Sequence, residues 1–206
     1  MKKVVRLAIS LLVLAITPAA VFAQAGETPL MLGPEALAPK QIEFRGYITI
    51  EDDWDLFGVY RQGIGGEMDF GVRAGYSDFA GGGFTTGGDI RWQMSWGQGS
   101  QLKYAVVAGL QLTFGDRANK FSAPFGVSLG ADVGTEERAV LVYGLPRLTV
   151  ERTDPDAGDA KTDLEFGIEL GAEINLTRQL IFDGALVIAT NDGDNIVLAL
   201  GIIYRR

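Results

Sequence analysis

The chain has 206 residues, with 18 lysines and arginines against 26 aspartates and glutamates, no cysteine, no histidine and a net charge of −8. This acidic composition offers no basic patch for nucleic acid. Without cysteine the chain forms no disulfide, and without histidine it builds no serine–histidine or aspartate–histidine hydrolytic site. We therefore expect a protein that is not an enzyme and that uses no metal or cofactor.

The first 23 residues have the three parts of a bacterial secretory signal peptide. Lys2, Lys3 and Arg6 supply positive charge, residues 7–16 form a short, mainly apolar stretch, and the segment ends with small residues at Ala23. Cleavage after Ala23 removes three basic and no acidic residues and takes the net charge from −8 to −11. No later stretch reaches the roughly 20 apolar residues of a spanning helix. An exported chain of this kind can enter a membrane only as a β-barrel.

Residues 24–40 contain three prolines and show no periodicity. They are predicted to form an extended leader before the fold, with no function assigned. The barrel domain is predicted to span residues 41–206.

Period-two segments follow one another from Gln41 onward, and the most regular is DLEFGIELGAEINL at 163–176. It places apolar residues at every even position and polar residues or glycine at every odd one, which predicts a β-strand with two different faces. Similar segments lie at 41–50, 53–62, 67–76, 88–96, 102–114, 125–133, 139–151, 180–190 and 195–204. About ten strands without a convincing helix predict an all-β chain. The count falls to eight if the first pair is instead a plug or leader.

The predicted connections alternate in length along the chain. Those at 62–66, 96–101, 134–138 and 175–179 are short, whereas those at 77–86, 115–122 and 153–162 are longer. This alternation is typical of an up-and-down antiparallel transmembrane β-barrel in an outer membrane. The longer loops could bind an unknown ligand. The acidic loop at 153–163 could hold calcium, but it does not match the spaced ligand pattern of a calcium loop.

Glycines recur on the polar faces of the strands, for example Gly130, Gly167 and Gly171. Glycine weakens a strand by ~0.5–1 kcal/mol, but in a narrow barrel it makes room for other side chains. We therefore expect the polar faces to line a crowded lumen and the apolar faces to meet lipid. The predicted lipid-facing residues are Phe70, Trp92, Leu110, Phe166, Leu170 and Leu200. The predicted lumen charges are Asp69, Arg73, Arg91, Lys103, Arg147, Glu165, Glu169 and Glu173.

Residues 41–206 resemble the small outer-membrane β-barrel proteins of Gram-negative bacteria, at the level of pattern. The most specific part is NIVLALGIIY at 195–204, which looks like the C-terminal insertion strand of that class. Members usually end on an aromatic residue, whereas here Tyr204 precedes Arg205 and Arg206. The resemblance implies an outer-membrane location, contact with membrane lipid, and assembly by periplasmic chaperones and the barrel-assembly machinery.

The charges predicted for the lumen allow two functional interpretations. A salt-bridge network that fills the barrel would give a structural protein. A small polar pore would give a minor channel, and Glu165, Glu169 and Glu173 on one strand would favour cations. Two of these carboxylates acting as acid and base is a weaker, catalytic alternative. The remaining alternatives are a secreted lipocalin-like barrel with an apolar ligand inside, and a membrane barrel that binds partners through its surface loops.

Overall fold

The computed structural model describes residues 28–50, 54–94, 102–135, 138–189 and 195–206. The predicted signal peptide, residues 1–23, lies outside these ranges. Within them, a short 3₁₀ helix at Phe79–Gly81 accompanies ten strands. The strands are β1 (Ile42–Ile50), β2 (Trp54–Gly65), β3 (Met68–Ser77), β4 (Gly83–Met94), β5 (Leu102–Gly115), β6 (Ala118–Thr135), β7 (Arg138–Pro155), β8 (Lys161–Asn175), β9 (Leu180–Ala189) and β10 (Asn195–Arg205).

These ten strands form a closed antiparallel barrel in which each strand pairs with its neighbours in sequence. The ring closes between β1 and β10, where Tyr47 lies opposite Gly201 and Ile50 lies opposite Leu198. Closure leaves no free strand edge. The predicted all-β, up-and-down barrel of about ten strands is therefore confirmed. The eight-strand alternative is wrong, because β1 and β2 pair along the whole of β1 and both belong to the ring.

Side chains alternate between the inside and the outside of the barrel. In β8, Glu165 and Glu169 are buried inside, whereas Leu164 is 67% exposed on the outer face. In β7, where apolar residues occupy both phases of the sequence, Leu145 is buried inside and Val150 lies outside. No helix in the described part of the chain is long and apolar enough to cross a membrane.

The predicted difference between short and long connections is wrong. Among the described connections, residues 116–117 alone join β5 to β6 and residues 156–160 join β7 to β8, whereas residues 176–179, predicted to be a short turn, join β8 to β9. Polar residues in the supposed loops continue the strand alternation. Lys120, for example, points inward and its Nζ lies 3.1 Å from Glu151 Oε2. The strands therefore extend into sequence whose polarity is typical of loops.

Residues 28–38, called here the luminal segment, lie inside the barrel instead of preceding the fold. Met31 and Leu32 are each 1% exposed, and Leu30 and Leu37 are also buried. The segment runs along the lumen to the barrel end where β1 begins, and the Lys40 amide there donates to Gly63 O at 3.0 Å. Eight strands give an interior that side chains alone can fill, and ten strands give a wider one. The luminal segment occupies this additional space.

Candidate functional site

The eight charged residues predicted for the lumen all lie on the inner wall. Asp69 and Glu169 are fully buried, and the other residues of the set, except Lys103, are at most 9% exposed. Lys103 lies at the barrel end where β1 begins and has 23% of its side chain exposed. Its Nζ contacts the carboxylates of Glu35, in the luminal segment, and Asp132.

The residues predicted to face lipid all lie on the outer face. Trp92, Leu110 and Phe166 are 48%, 58% and 41% exposed, and Phe70, Leu170 and Leu200 are partly covered by outer-face neighbours. Tyr204, the predicted insertion-signal aromatic, also lies outside and is 42% exposed, opposite Phe44 of β1. The outer face is therefore a continuous apolar surface on the described strands.

A buried ion cluster on β2, β3 and β4 surrounds Arg61. The Arg61 guanidinium contacts the carboxylates of Asp69 and Asp89, and all three residues are nearly or fully buried. Arg91 Nη2 lies 2.6 Å from Asp69 Oδ2, and Arg73 Nη2 lies 3.1 Å from Asp89 Oδ2. A charge taken out of water is tolerated only when it is paired and hydrogen-bonded. Each carboxylate here therefore holds two arginines in a fixed position.

A second ion cluster is centred on Arg45 of β1 and includes residues of β8, β9 and β10. Arg45 contacts Glu43, and its guanidinium nitrogens lie 3.6 Å from Glu173 Oε1 and 3.4 Å from Asp183 Oδ2. Arg205 pairs with Glu43 at 2.9 Å. Further along β8, Glu169 Oε2 lies 3.7 Å from Arg147 Nη1. The carboxylates of Glu169 and Glu173 thus face arginines and do not form an uncompensated acidic wall.

The luminal segment is held through its backbone. Every carbonyl from Thr28 to Gly33 accepts a hydrogen bond from an inner-wall side chain. The donors are Arg147 to Thr28 (3.1 Å), Arg73 to Pro29 (3.0 Å) and Leu30 (3.5 Å), Arg45 to Met31 (2.5 Å), Ser128 to Leu32 (2.7 Å) and Arg91 to Gly33 (2.7 Å). Because all four arginines also bind carboxylates, the ion clusters orient the donors that bind the segment.

Backbone amides of the segment are bound by acceptors on the same inner wall. Leu30 N donates to Glu169 Oε2 at 2.9 Å, and Leu37 N donates to Asp69 Oδ2 at 2.7 Å. Ala36 N donates to Gln93 Oε1 at 2.8 Å. The segment has no regular secondary structure to satisfy these groups, so the wall provides their partners.

Successive side chains of the segment enter apolar pockets on different walls. Met31 packs with Tyr47, Phe57, Val59, Ala185 and Ala199, which belong to β1, β2, β9 and β10. Leu30 and Leu32 pack with Val107 of β5 and Leu145 of β7. Met31 has a φ of 51°, a left-handed conformation that costs a non-glycine residue of order 1 kcal/mol or more. Its packing and its bond to Arg45 maintain that conformation.

Glycines on the inner wall make room for the segment and for wall side chains. A Cβ on Gly63 would overlap Ala38 O and lie 2.6 Å from Leu37 O, and both residues belong to the segment. A Cβ on Gly130 would lie 3.0 Å from Pro34 Cγ. A Cβ on Gly171 would overlap the Tyr143 ring, with 2.6 Å to Cε1. The inner-wall glycines therefore line a crowded space.

Sequence reasoning missed Glu43, Arg45, Arg61, Asp89 and Asp183 as parts of the site. A signal was present, because Glu43 and Arg45 alternate with Ile42 and Phe44 and so share the polar phase of their strand. The luminal segment gave no such signal, since its residues have no period.

A small cleft remains beyond the start of the luminal segment, lined by Thr28, Arg73, Gln111, Arg147 and Glu151, among others. Gln111 Nε2 donates to Thr28 Oγ1 at 2.8 Å across it. Among the described residues, no group of three or more acidic, histidine or cysteine side chains is arranged to hold a metal ion.

No protein-family model matches this sequence, and no curated protein sequence matches it significantly. The chain is similar to the N-terminal β-barrel domain of Pseudomonas aeruginosa OprF (TM-score 0.39, 9% identity, 82% of this chain and 98% of that one). It is similar to Neisserial surface protein A (TM-score 0.40, 12% identity, 80% and 93%) and to the KdgM porin (TM-score 0.43, 6% identity, 79% and 98%). At these values the likeness concerns the arrangement of strands alone.

Proposed function

We propose that the protein is an integral outer-membrane β-barrel whose lumen is closed, and that its role is structural. The observation that carries this proposal is the luminal segment, which fills the barrel and is hydrogen-bonded to strands around the ring. A barrel filled in this way offers no continuous path for solutes.

The apolar outer face supports the membrane location. Large apolar side chains there are about half exposed, including Leu102 at 56%, Phe125 at 55% and Leu164 at 67%. Monomeric soluble proteins rarely expose apolar patches larger than a few hundred Å², and each exposed Å² costs about 25 cal/mol in water. Lipid removes that cost. With an exported chain, a barrel of this kind belongs in an outer membrane.

The lipocalin-like alternative agrees poorly with the outer and inner faces of the barrel wall. A soluble barrel that carries an apolar ligand needs a polar exterior and an apolar cavity. Here the described interior carries the buried charges of Asp69, Arg91 and Glu169, and the luminal segment already occupies its apolar pockets.

The two functional alternatives on the same barrel also have less support. Binding through long loops loses its basis where β5 to β8 extend almost to the tips of their hairpins. Cation conduction along Glu165, Glu169 and Glu173 loses support because Glu169 and Glu173 face arginines. The absence of enzymatic activity and assembly by the barrel-assembly machinery and periplasmic chaperones remain predictions.

Cell fractionation with gel electrophoresis of unboiled and boiled samples tests the membrane location. The protein is expected in the outer-membrane fraction, with a mobility that shifts on boiling. Recovery in the soluble periplasmic extract would refute the proposal. Planar-bilayer recordings test the closed lumen, and the full-length protein is expected to show no steady conductance. Regular conductance steps of the full-length protein would instead support the channel alternative.

A further inference from the structure

The luminal segment is bound as a peptide ligand is bound. Its carbonyls from Thr28 to Gly33 and its amides at Leu30 and Leu37 are paired with side chains of the wall. Leu30 and Leu32 enter one apolar pocket of the wall, and Met31, between them, enters another. Recognition of extended peptides has the same two components, in which backbone hydrogen bonds give affinity and alternating pockets give specificity.

The segment is continuous with the barrel wall only where it meets β1, beyond Ala38. Between Thr28 and Leu37 the described contacts to the strands are side-chain packing and hydrogen bonds that involve wall side chains. The strands themselves pair with one another all the way round the ring, so none of their backbone ladders uses the segment. The backbone pairing of the ring therefore does not depend on the segment.

The wall behind the segment is polar. Arg73, Arg91 and Arg147 each offer N–H groups that now bind segment carbonyls, and Asp69 and Glu169 offer oxygens that now bind segment amides. If the segment leaves, water is the natural replacement partner for these groups, since unpaired buried polar groups are costly. An empty lumen is therefore a hydrated one.

We propose that the lumen is a binding site for an extended peptide, that its ligand is the protein's own segment Thr28–Ala38, and that the barrel becomes a water-filled pore when this segment leaves. This inference rests on the closed lumen of the proposed function. It adds that closure is a binding equilibrium and not a permanent packing of the wall.

The test uses the full chain with the double substitution Met31→Lys and Leu32→Lys. Both side chains are buried in apolar pockets that offer an ammonium group no partner, so the segment should be expelled. The matched control is Ala157→Lys with Ala160→Lys, which adds the same charge at exposed positions outside the segment. In planar bilayers we expect steady conductance from the first variant and none from the control or the parent.

A synthetic peptide with the sequence of residues 28–38 is then added to the conducting variant. We expect it to abolish the conductance, whereas a peptide carrying the same two lysine substitutions should not. A folded Met31→Lys, Leu32→Lys variant that stays silent, or an open variant that the peptide fails to close, would overturn the inference. Conductance of the parent would instead refute the proposed function, so the two failures are distinguishable.

Gly63→Ala provides the test if the double variant does not fold. The added methyl group meets atoms of Leu37 and Ala38, and all of its nearest atoms belong to these two residues. Gly46→Ala is its control, because a Cβ there has no neighbour within 4 Å. Conductance is expected from Gly63→Ala alone and should again be lost when the peptide is added. Equal silence of both variants would refute the inference.

Discussion

Replacing Gly171 by alanine tests whether the inner face is crowded. The new methyl group would overlap the ring of Tyr143, which is 5% exposed and whose hydroxyl lies 3.5 Å from Asp183 Oδ1. The ring has to move, and overpacking of this kind costs ~1–3 kcal/mol. Glycine to alanine in a strand also gains ~0.5–1 kcal/mol in chain entropy and propensity. Gly144→Ala shares this gain but faces outward, with Leu170 Cδ2 at an ordinary 3.5 Å.

The difference between the two variants therefore isolates the packing penalty, since the intrinsic gain cancels. We expect Gly171→Ala to be less stable than Gly144→Ala by ~1–3 kcal/mol, measured by urea unfolding in lipid vesicles with tryptophan fluorescence. In a Tyr143→Leu background the difference should shrink, because the ring is gone. Equal stability of the two alanine variants with Tyr143 present would refute the assignment of the inner face.

Three other predictions use the same unfolding and conductance assays. Asp69→Asn breaks a buried ion pair and should lower the free energy of unfolding by ~3–5 kcal/mol. Lys161→Met, at an exposed ion pair, should change it by less than ~1 kcal/mol. Similar losses in the two variants would contradict the account of the ion clusters. Leu110→Arg should lower the free energy of unfolding by ~2–4 kcal/mol if the outer face meets the middle of a bilayer. Asn119→Arg, near the barrel rim, should lower it by only ~0–1 kcal/mol. Equal losses in the two variants would argue against lipid contact. Glu169→Gln should stay silent in planar bilayers like the parent, and cation-selective steps in the parent that fall in this variant would favour the channel.

The period-two pattern predicted most of the wall because one face of each strand lines the barrel interior and the other faces outward. In β8 the odd positions, including Glu165 and Glu169, face the lumen and the even ones, including Leu164, face outward. Polarity alone misled where strands leave the apolar belt, as at Lys120, whose side chain finds Glu151 inside. A strand in such a region is identified by the residues it pairs with on the neighbouring strand, and those residues lie elsewhere in the sequence.

The site was only partly predictable for a related reason. The wall charges carry a local signal, since they occupy the polar phase of their strands. The luminal segment carries none, because its conformation is set by arginines and pockets from strands distant in sequence, such as Arg147 and Val107. Prolines and the lack of a period are typical both of a free leader and of a peptide bound in a lumen. Only the assembled barrel distinguishes them.

Nitroxide labels on the outward positions of β8 test most directly whether the apolar face of this closed barrel lies in lipid. The chain has no cysteine, so Leu164→Cys, Phe166→Cys, Ile168→Cys and Leu170→Cys each give a single labelling site. In reconstituted vesicles we predict high accessibility of these labels to oxygen and low accessibility to a water-soluble nickel chelate. Accessibility to the nickel chelate equal to or above that to oxygen, at all four positions, would contradict the account.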